Sequence, residues 1–451
     1  MIHLTTETTF TIVDEAFGYI ESFTNLEKPT PPHVRVRKME RMRFLLDLFG
    51  NPHKHFKSIH IAGSKGKGST GIFLSSILSA LGYKTGLYTS PHVSSYKERI
   101  TIAGEEIEDS LFISLISAIR EKLQPLGPQD FAGGEGPTTF ELLTLLAFLA
   151  FRELKCEWAV IETGIGGRLD ATNVISPELC VLTPVEKEHT DLLGKTLKEI
   201  ATEKGGIIKK GVPVYCGYQF SQVSRIFSKI AQKVGAEITF LADQVQDIKK
   251  LLSPRGSEVE IIWKSGVSLS AHLSLAGDFQ AENATLAALI ALSFSPFQNK
   301  CTSIEMEMAI KQGLKKAWIP GRMELVREEP PVIIDGAHTP GSISRLVDSF
   351  KKIFPRRGIL IFGSVLGKDV EAMAKVLSPS FDRIIISTPG TFKKSDPQKT
   401  FEIFSSKNQG TILELSPRKA FDLALELSEG ETPILVTGSF YMEAEIKKLL
   451  L

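Results

Sequence analysis

The sequence has few cysteines, almost no net charge and no long apolar run. Its four cysteines are widely spaced and form no C-x-x-C pair, so neither a disulfide framework nor a cysteine zinc site is indicated, and a reducing compartment fits best. The 53 lysines and arginines balance 52 acids, so no global field attracts nucleic acid or an anionic membrane, and we expect neither as a partner. The longest apolar stretch, 142–151, is half of the roughly 20 residues that a bilayer requires. The N-terminus shows no secretory signal pattern, and we expect a cytoplasmic protein.

The chain of 451 residues is long enough for two or three domains of roughly 100–200 residues each. Short runs rich in Val, Ile and Leu alternate with longer amphipathic segments, which is typical of an α/β protein with a mainly parallel sheet. Strands are predicted at 57–62, 84–89, 158–162, 178–183 and 212–216, with helices at 69–81, 138–154 and 196–209. Residues 237–275 are expected to form short antiparallel strands, followed by helices near 280–294 and 302–316.

A breaker cluster, Trp318-Ile319-Pro320-Gly321, interrupts this alternation, and beyond it strands and helices alternate anew. This second series predicts a small doubly wound domain. We therefore expect an N-terminal domain over 1–319 and a smaller, Rossmann-like C-terminal domain over 320–451.

The segment IHIAGSKGKGST (59–70) places a glycine-rich turn between a predicted strand and a predicted helix. Gly63, Gly66 and Gly68 let backbone amides close around phosphate oxygens, and Lys67 can reach the outer phosphates. The strict Walker spacing is not met, because Ile61 stands where that motif has glycine. A glycine-rich turn without a ligand is the alternative interpretation.

Several charged residues lie where strands or helices are predicted to end. Glu162, in WAVIETGIGGRLDATN (158–173), and His189, in TPVEKEHTDLLG (183–194), could hold Mg²⁺ at the carboxyl edge of the sheet. Taken singly, Glu162 could equally be a solvated acid, and His189 an ordinary loop histidine. Lys204 on a predicted helix is more often a solvated lysine. Asp335 in VIIDGAHTP (332–340) could accept hydrogen bonds from a ribose or mark a plain turn.

Taken together and in this order, the motifs resemble those of folylpolyglutamate synthase and dihydrofolate synthase, the folate branch of the Mur ligase family. The correspondence begins near Glu40 and runs through ERMRFLLDLFGNP, TSPHVSSYKERI, TTFELLTLLAF, ETGIGGRLDATN, PGRMEL and DGAHTP. The resemblance implies a P-loop ATPase-like domain and a Rossmann-like ligase domain. It also implies that ATP phosphorylates the carboxylate of a pterin substrate, which the amine of L-glutamate then attacks.

The resemblance further implies a role for individual residues. ATP would be bound by Gly63, Ser64, Lys65, Gly66, Lys67, Gly68, Ser69, Asn283, Arg322 and Asp335, and Mg²⁺ by Ser90, Glu162 and His189. The pterin substrate, dihydropteroate or a reduced folate, would contact Thr138, Thr139, Phe140, Glu141, Leu169, Asp170 and Ala171. Lys67, Lys204 and His338 would act in catalysis, Lys204 as the lysine that the family carbamylates.

The sequence departs from the family pattern at several positions, none of them an expected metal ligand: Ser64, Lys65, Asp278 and Thr339 replace Thr, Asn, His and Asn, respectively. Two other functions stay open. One is a Mur-type ligase acting on another carboxylate, which the folate-type TTFE and SPHVSSYKER segments disfavour. The other is a noncatalytic ATP-binding switch, which the retention of Glu162, His189 and Lys204 disfavours. We expect a monomer with small-molecule substrates.

Overall fold

The computed structural model describes residues 10–24, 38–93, 95–390 and 393–450. They fall into two compact units. The first unit holds the described residues up to Asp247 together with 262–267 and 282–314, and the second holds 248–261, 268–281 and the described residues from Lys315 onward. The last segment of the second unit begins shortly before residue 320, the start of the predicted C-terminal domain, and that domain boundary stays a prediction.

The helices of the described residues are numbered here in chain order. They are α1 (Val13–Glu21), α2 (Lys38–Leu48), α3 (Lys67–Ala80), α4 (Asp109–Leu123), α5 (Thr139–Glu153), α6 (Thr190–Leu193), α7 (Leu197–Gly205), α8 (Ser221–Val234), α9 (Leu241–Gln244), α10 (Asp278–Ser293), α11 (Ser295–Gln298), α12 (Ser303–Lys316), α13 (Pro340–Ile353), α14 (Val370–Leu377), α15 (Pro397–Ser405), α16 (Pro417–Leu427) and α17 (Phe440–Lys447).

The strands are numbered in the same way. They are β1 (Lys57–Ala62), β2 (Thr85–Tyr88), β3 (Ile100–Ile102), β4 (Glu105–Glu106), β5 (Trp158–Glu162), β6 (Leu179–Leu182), β7 (Val214–Cys216), β8 (Ile238–Phe240), β9 (Val245–Ser253), β10 (Gly256–Trp263), β11 (Ser268–Leu273), β12 (Glu324–Arg327), β13 (Val332–Ile334), β14 (Gly358–Phe362), β15 (Phe381–Ile386), β16 (Thr411–Leu413) and β17 (Ile434–Thr437).

The first unit is built on an eight-stranded sheet in the order β4-β3-β2-β5-β1-β6-β7-β8. β1 lies between β5 and β6 and pairs in parallel with both. The pairs β2–β5, β6–β7 and β7–β8 are also parallel, and only the pairs β2–β3 and β3–β4 at one edge are antiparallel. The predicted mainly parallel sheet is therefore confirmed. Its carboxyl edge gathers the turns that follow β1, β2, β5 and β6, which is where α/β proteins bind ligands.

The helix predicted over 138–154 is α5. Every residue from Leu142 to Phe151 on it is buried, because the sequence is apolar on all faces and the helix packs inside the core of the first unit. Its start is fixed by a capping box: the Thr138 side chain accepts from the backbone amide of Glu141, and the Glu141 side chain accepts from the amide of Thr138. The first turn of α5 is thereby held in one orientation.

Two predictions about the middle of the chain were inaccurate. Ile238–Phe240 lies in the stretch predicted to be antiparallel, yet it forms β8, a parallel edge strand of the large sheet. Only β9, β10 and β11 form a separate three-stranded sheet; their very short connections permit antiparallel neighbours only. The helix predicted over 196–209 ends at Gly205, where a second glycine, Gly206, takes the C-cap position.

The second unit contains a six-stranded sheet in the order β12-β13-β17-β14-β15-β16. All neighbours are parallel except β12, which runs antiparallel to β13. Alternate strand residues enter different cores: Ile333 and Leu360 pack in one cluster, and Ile334 and Ile361 in another. Helices cover both faces, so the predicted doubly wound, Rossmann-like architecture is confirmed. Among the described residues, no helix is long and apolar enough to cross a membrane.

Candidate functional site

The glycine-rich turn runs from the end of β1 to the start of α3. Gly66 is the N-cap of α3 and has a left-handed backbone with φ of 79°, a conformation that glycine adopts without strain. A Cβ atom at Gly66 would collide with the Asn283 side chain, and one at Gly63 with the Thr183 hydroxyl. The turn therefore requires glycine at both positions, and Asn283, a predicted ATP contact, lies directly against it.

The turn is fastened to the loop that follows β6. The backbone amides of Ser64 and Lys65 donate to the carbonyl oxygen of Pro184 at 2.9 and 3.2 Å, and the Ser64 hydroxyl donates to the carbonyl of Glu186 at 3.0 Å. Ser64, which replaces the threonine usual in the family, thus anchors the loop. The amides of Ser64 and Lys65 are therefore occupied in this attachment, and the positive end of α3, which begins directly after the turn, is the kind of feature that binds phosphate.

Lys67, the first residue of α3, faces the acid at the end of β5. Its Nζ lies 3.5 Å from Oε1 of Glu162, whose side chain is almost completely buried. Oε2 of the same carboxylate accepts from the backbone amide of Ser90 at 3.2 Å, in the turn after β2. The structure therefore brings together Lys67, Glu162 and Ser90, which the sequence separates widely, at the carboxyl edge of one sheet.

Lys204 on α7 is not the solvated lysine of the alternative interpretation, because only 1% of its surface is exposed. Its Nζ donates to the carbonyl oxygen of Gly63 at 2.7 Å and to Oε1 of Glu188 at 2.7 Å. Burial lowers the pKa of Lys204 to about 8, although the charge of Glu188 acts in the opposite direction. Burial would raise the pKa of Glu188, but the charges of Lys204 and Lys67 bring it down to about 2.

Glu188 was missed by the sequence reasoning, although it directly precedes His189. His189 itself has a left-handed backbone with φ of 45° and caps the short helix α6. Its side chain is exposed. In the described part of the chain, no group of three or more His, Cys, Asp or Glu side chains is arranged to hold a metal ion. The assignment of Ser90, Glu162 and His189 to Mg²⁺ stays a prediction.

The predicted pterin contacts of 138–141 form the start of α5. Glu141 is buried, and its two oxygens accept from Nε and Nη2 of Arg41 at 2.8 and 2.9 Å. This bidentate ion pair joins α2 to α5, and Arg41 was not found from the sequence. The Thr139 hydroxyl donates to the carbonyl of Phe23 at 3.0 Å. The contacts of these side chains with a substrate stay predictions.

The second group of predicted pterin contacts, Leu169 to Ala171, lies in the turn after β5. Asp170 is buried and accepts from the backbone amides of Gly164 and Ile165, each at 3.1 Å. The Phe140 ring packs against Gly164 so closely that a Cβ atom there would collide with it. The structure thus places Phe140 next to the turn that carries Leu169, Asp170 and Ala171.

Arg322, Asp335 and His338 lie in the second unit. Asp335 follows β13, and its carboxylate accepts from the backbone amides of Ala337 at 2.8 Å and Met323 at 2.9 Å. The Arg322 guanidinium stands 4.8 Å from the centroid of the Phe440 ring. Nδ1 of His338 lies 2.8 Å from the carbonyl oxygen of Gly336. The roles of these three residues in binding or catalysis stay predictions.

A buried acid, Glu443 on α17, adjoins these residues and was also missed by the sequence reasoning. It lies against Gly321, and neither carboxyl oxygen has a hydrogen-bond partner among the described residues. Burial, followed by the negative charge of Asp335, raises the pKa of Glu443 well above its ordinary value. Glu443 therefore keeps its proton to a higher pH than an ordinary glutamate, although the positive charges of Arg322 and Lys447 act in the opposite direction.

Two departures from the family pattern have structural roles in the second unit. The Thr339 hydroxyl accepts from the amide of Ser342 and caps α13. Asp278 pairs with Lys250 at 2.6 Å and with Lys352 at 2.5 Å. These two lysines lower the pKa of Asp278 in spite of its partial burial. Both departures are thus accommodated by local contacts.

Comparison with known proteins extends the likeness over nearly the whole chain. The Mur ligase middle domain matches residues 61–291, and the glutamate ligase domain of Mur ligases matches 321–440. The dihydrofolate synthase/folylpolyglutamate synthase of Bacillus subtilis (strain 168) is 32% identical over 414 residues, which cover 91% of this chain and 94% of that protein. The folylpolyglutamate synthase of Lacticaseibacillus casei is 33% identical over 442 residues, 97% of this chain and 98% of that protein.

Solved structures give the same result. A Mycobacterium tuberculosis folylpolyglutamate synthase complexed with ADP superposes with a TM-score of 0.86 at 28% identity and covers 97% of this chain and 98% of that chain. A complex of this type of enzyme with AMPPCP and folate superposes with a TM-score of 0.82 at 30% identity, over 98% of this chain and 100% of that chain. The chain therefore belongs to the Mur ligase family, in its branch of dihydrofolate synthases and folylpolyglutamate synthases, and is an ATP-dependent amino-acid ligase.

Proposed function

We propose that this ligase joins L-glutamate to the carboxylate of dihydropteroate and also adds glutamate to a reduced folate. The observation that carries the proposal is the pairing of Lys67 on the phosphate loop with Glu162 at the end of β5, 3.5 Å apart. The likeness to a Bacillus subtilis protein named for both activities supports the assignment of both substrates.

The substrate carboxylate is a poor electrophile and must be activated before an amine can attack it. The substrate carboxylate attacks the γ-phosphorus of ATP, ADP departs, and an acyl phosphate forms. The glutamate amine then attacks the acyl carbon, phosphate leaves, and the nitrogen loses a proton to give the amide. Charge gathers on the phosphoryl oxygens during the first step. The Lys67 ammonium is placed to neutralise it, and the backbone amides of the loop hold the phosphates in position.

Ser90 after β2 and Glu162 at the end of β5 suit Mg²⁺, because a hydroxyl and a carboxylate are the oxygen ligands that this ion prefers. The hydrogen bond from the Ser90 amide to Glu162, at 3.2 Å, supports this assignment. Ser90, Glu162 and His189 would hold the ion, which would supply positive charge to the phosphates. Lys67 partly neutralises the buried charge of Glu162.

Lys204 would act as a carbamate. A neutral lysine amine adds to CO2 and releases one proton, leaving a negatively charged carbamate. With a pKa of about 8, about a tenth of the Lys204 side chains are neutral at pH 7, far more than for an ordinary lysine. The modification would reverse the charge that now lies between Gly63 and Glu188.

The remaining assignments follow the family pattern. Phe140, with the turn that carries Leu169, Asp170 and Ala171, would receive the pterin ring, since an aromatic face suits a flat heterocycle. Asn283, Arg322 and Asp335 would contact ATP, and His338 would lie near the reacting groups. The expected location is the cytoplasm, the expected state is a monomer, and the partners are small molecules.

The decisive experiment measures phosphate release with ATP and Mg²⁺ in the presence of glutamate and either dihydropteroate or a reduced folate, with each component omitted in turn. Products are identified by mass spectrometry, and Lys67→Ala protein corrects for contaminating ATPases. Turnover with both substrates supports the proposal. Turnover with dihydropteroate alone identifies a dedicated dihydrofolate synthase. Absence of glutamate-dependent turnover with either substrate contradicts the proposal and favours another carboxylate substrate or an ATP-binding switch.

A further inference from the structure

His60 is a histidine in the middle of β1, the central strand of the large sheet. Its neighbours in register are Ile161 on β5 and Cys180 on β6, and its side chain has no exposed surface. Burying an imidazole in the core costs free energy unless its nitrogen atoms form hydrogen bonds. Nε2 lies 2.8 Å from the Thr172 hydroxyl oxygen, whereas Nδ1 bonds to none of the described residues. Burial lowers the pKa of His60 to about 3, so the ring is neutral.

The direction of the hydrogen bond between His60 and Thr172 follows from Asp170. That carboxylate accepts from the amides of Gly164, Ile165 and Thr172, and at 2.6 Å it also contacts the Thr172 hydroxyl. Several N–H donors favour the ionised carboxylate, which can only accept. The Thr172 hydroxyl must therefore donate to Asp170, and its oxygen accepts from His60. The proton of the imidazole is on Nε2.

We propose that His60 is a positioning residue for the turn that follows β5, acting through Thr172 and Asp170. The hydrogen bonds form one directed series, from Nε2 of His60 to the Thr172 hydroxyl and on to the Asp170 carboxylate. Asp170 in turn holds the amides of Gly164 and Ile165. The central strand thereby fixes the conformation of the turn that leads from β5 toward β6, the two strands that flank it. The series requires a neutral hydrogen-bond donor at residue 60.

The consequence for binding rests on the proposed function, in which this turn contacts the pterin. Gly164 supports the Phe140 ring, and Asp170 is flanked by two of the predicted contacts, Leu169 and Ala171. Loss of the donor at residue 60 would leave the Thr172 oxygen without the hydrogen bond from His60, and the attachment of Asp170 would become looser. We expect the pterin contacts to lose their fixed geometry while the phosphate loop keeps its own anchors at Pro184 and Glu186.

Hydrogen exchange measured by mass spectrometry tests the positioning role without a substrate. His60→Leu fills the core but donates nothing, whereas the side-chain amide of His60→Gln can donate toward Thr172. We expect faster exchange in peptides covering 163–172 for His60→Leu, and near wild-type exchange for His60→Gln. His53→Leu, at a half-buried histidine in the turn before β1, is the matched control and leaves 163–172 unchanged. Unaltered exchange in His60→Leu would overturn the proposal.

Steady-state kinetics on the same variants tests the effect on binding. We expect His60→Leu to raise KM for the pterin by about tenfold or more, as for a displaced positioning group, with KM for ATP unchanged. His60→Gln restores the wild-type value. An equal rise of both KM values, or none, would contradict a role at the pterin turn. If the wild-type enzyme turns over no pterin, the proposed function fails, and the exchange measurement still decides the role of His60.

Discussion

The side-chain nitrogen of Lys204 lies 2.7 Å from the carbonyl oxygen of Gly63. A buried cation on α7 is therefore bonded to the first glycine of the phosphate loop, and on its other side to Glu188 at the same distance. Because charges interact strongly in a buried site, any change in the charge of Lys204 alters its electrostatic interaction with the phosphate loop.

Carbamylation of Lys204 is tested with ¹³C-labelled bicarbonate. We expect a carbamate carbon signal in the NMR spectrum of the wild-type protein, and more of it as the pH rises toward 8, because the neutral amine is the form that adds CO2. Lys204→Ala should lose the signal and most of its activity, with partial recovery in the presence of short carboxylates.

The matched control for carbamylation is Lys209→Ala. Burial also lowers the pKa of Lys209, but its Nζ donates to the side chain of Asn173 rather than to the phosphate loop. We expect this variant to keep both the signal and the activity. An equal signal in Lys204→Ala and wild-type protein, or unchanged activity without Lys204, would refute the assignment.

Lys67→Ala should lose phosphoryl transfer while keeping its fold. Removing a group that neutralises charge in the transition state costs at least about a hundredfold in kcat. The Lys67 side chain is mostly buried beside Glu162. Lys67 is also the first residue of α3, and the other contacts of that helix stay in place in the variant. Phosphate release and the thermal melting curve are the measurements. Lys57→Ala, at the exposed start of β1, is the control; turnover at the wild-type rate in Lys67→Ala would contradict the phosphate-loop assignment.

Much of the fold was accessible from the sequence, because strands covered on both faces read as continuous apolar runs. β1, β5 and β14 begin and end where KSIHIA, WAVIE and GILIF do. β8 was assigned to the wrong sheet, because a three-residue strand with half-buried side chains carries no pattern that distinguishes an edge of one sheet from another.

One of the site residues that were missed, Arg41, is the partner of a residue far away in the chain. Arg41 is 100 positions from Glu141, and no local spacing connects them. Lys204 illustrates the opposite case: a lysine on a helix is normally solvated, and only the resemblance to a family singled it out before the structure showed that it is buried. The glycines of the turn, by contrast, were found from the local strand–turn–helix pattern, although the contacts that require Gly63 and Gly66 come from the distant residues Thr183 and Asn283.

The ion pair between Arg41 and Glu141 should be important for stability. Both side chains are about 1% exposed, and removing one partner leaves a buried charge without compensation. We expect Arg41→Met to lower the free energy of unfolding by about 3–5 kcal/mol, and Arg41→Met combined with Glu141→Leu to recover much of that loss. Urea denaturation followed by circular dichroism measures both.

The control for this ion pair is Lys311→Ala, which breaks the exposed pair with Glu307 on α12. A pair of this kind contributes about 0.2–0.5 kcal/mol, so a small change is expected. If Arg41→Met were as mild as the control, the buried pair would not be a main contributor to the stability of the first unit.

The raised pKa of Glu443 predicts an unusual dependence of the free energy of unfolding on pH. Its pKa in the folded protein is well above the ordinary value near 4.5, because burial and Asp335 disfavour the charged form. Below that ordinary value the residue is protonated whether the chain is folded or unfolded, so its titration does not change the free energy of unfolding there. As the pH rises, the unfolded chain releases the proton while the folded protein retains it. The free energy of unfolding therefore falls by about 1.4 kcal/mol per pH unit until the folded pKa is reached.

Glu443→Gln removes this titration while keeping nearly the same shape. We expect the variant to be more stable than the wild-type protein, with a melting-temperature difference that widens as the pH rises above about 5. Glu445→Gln, on the same helix but partly exposed in a pair with Lys448, should show no such widening. A difference between Glu443→Gln and wild-type protein that stays constant over this pH range would mean that Glu443 does not hold its proton in the folded state. In that case Arg322 and Lys447, the two cations near it, would have to stabilise its charge in spite of the burial.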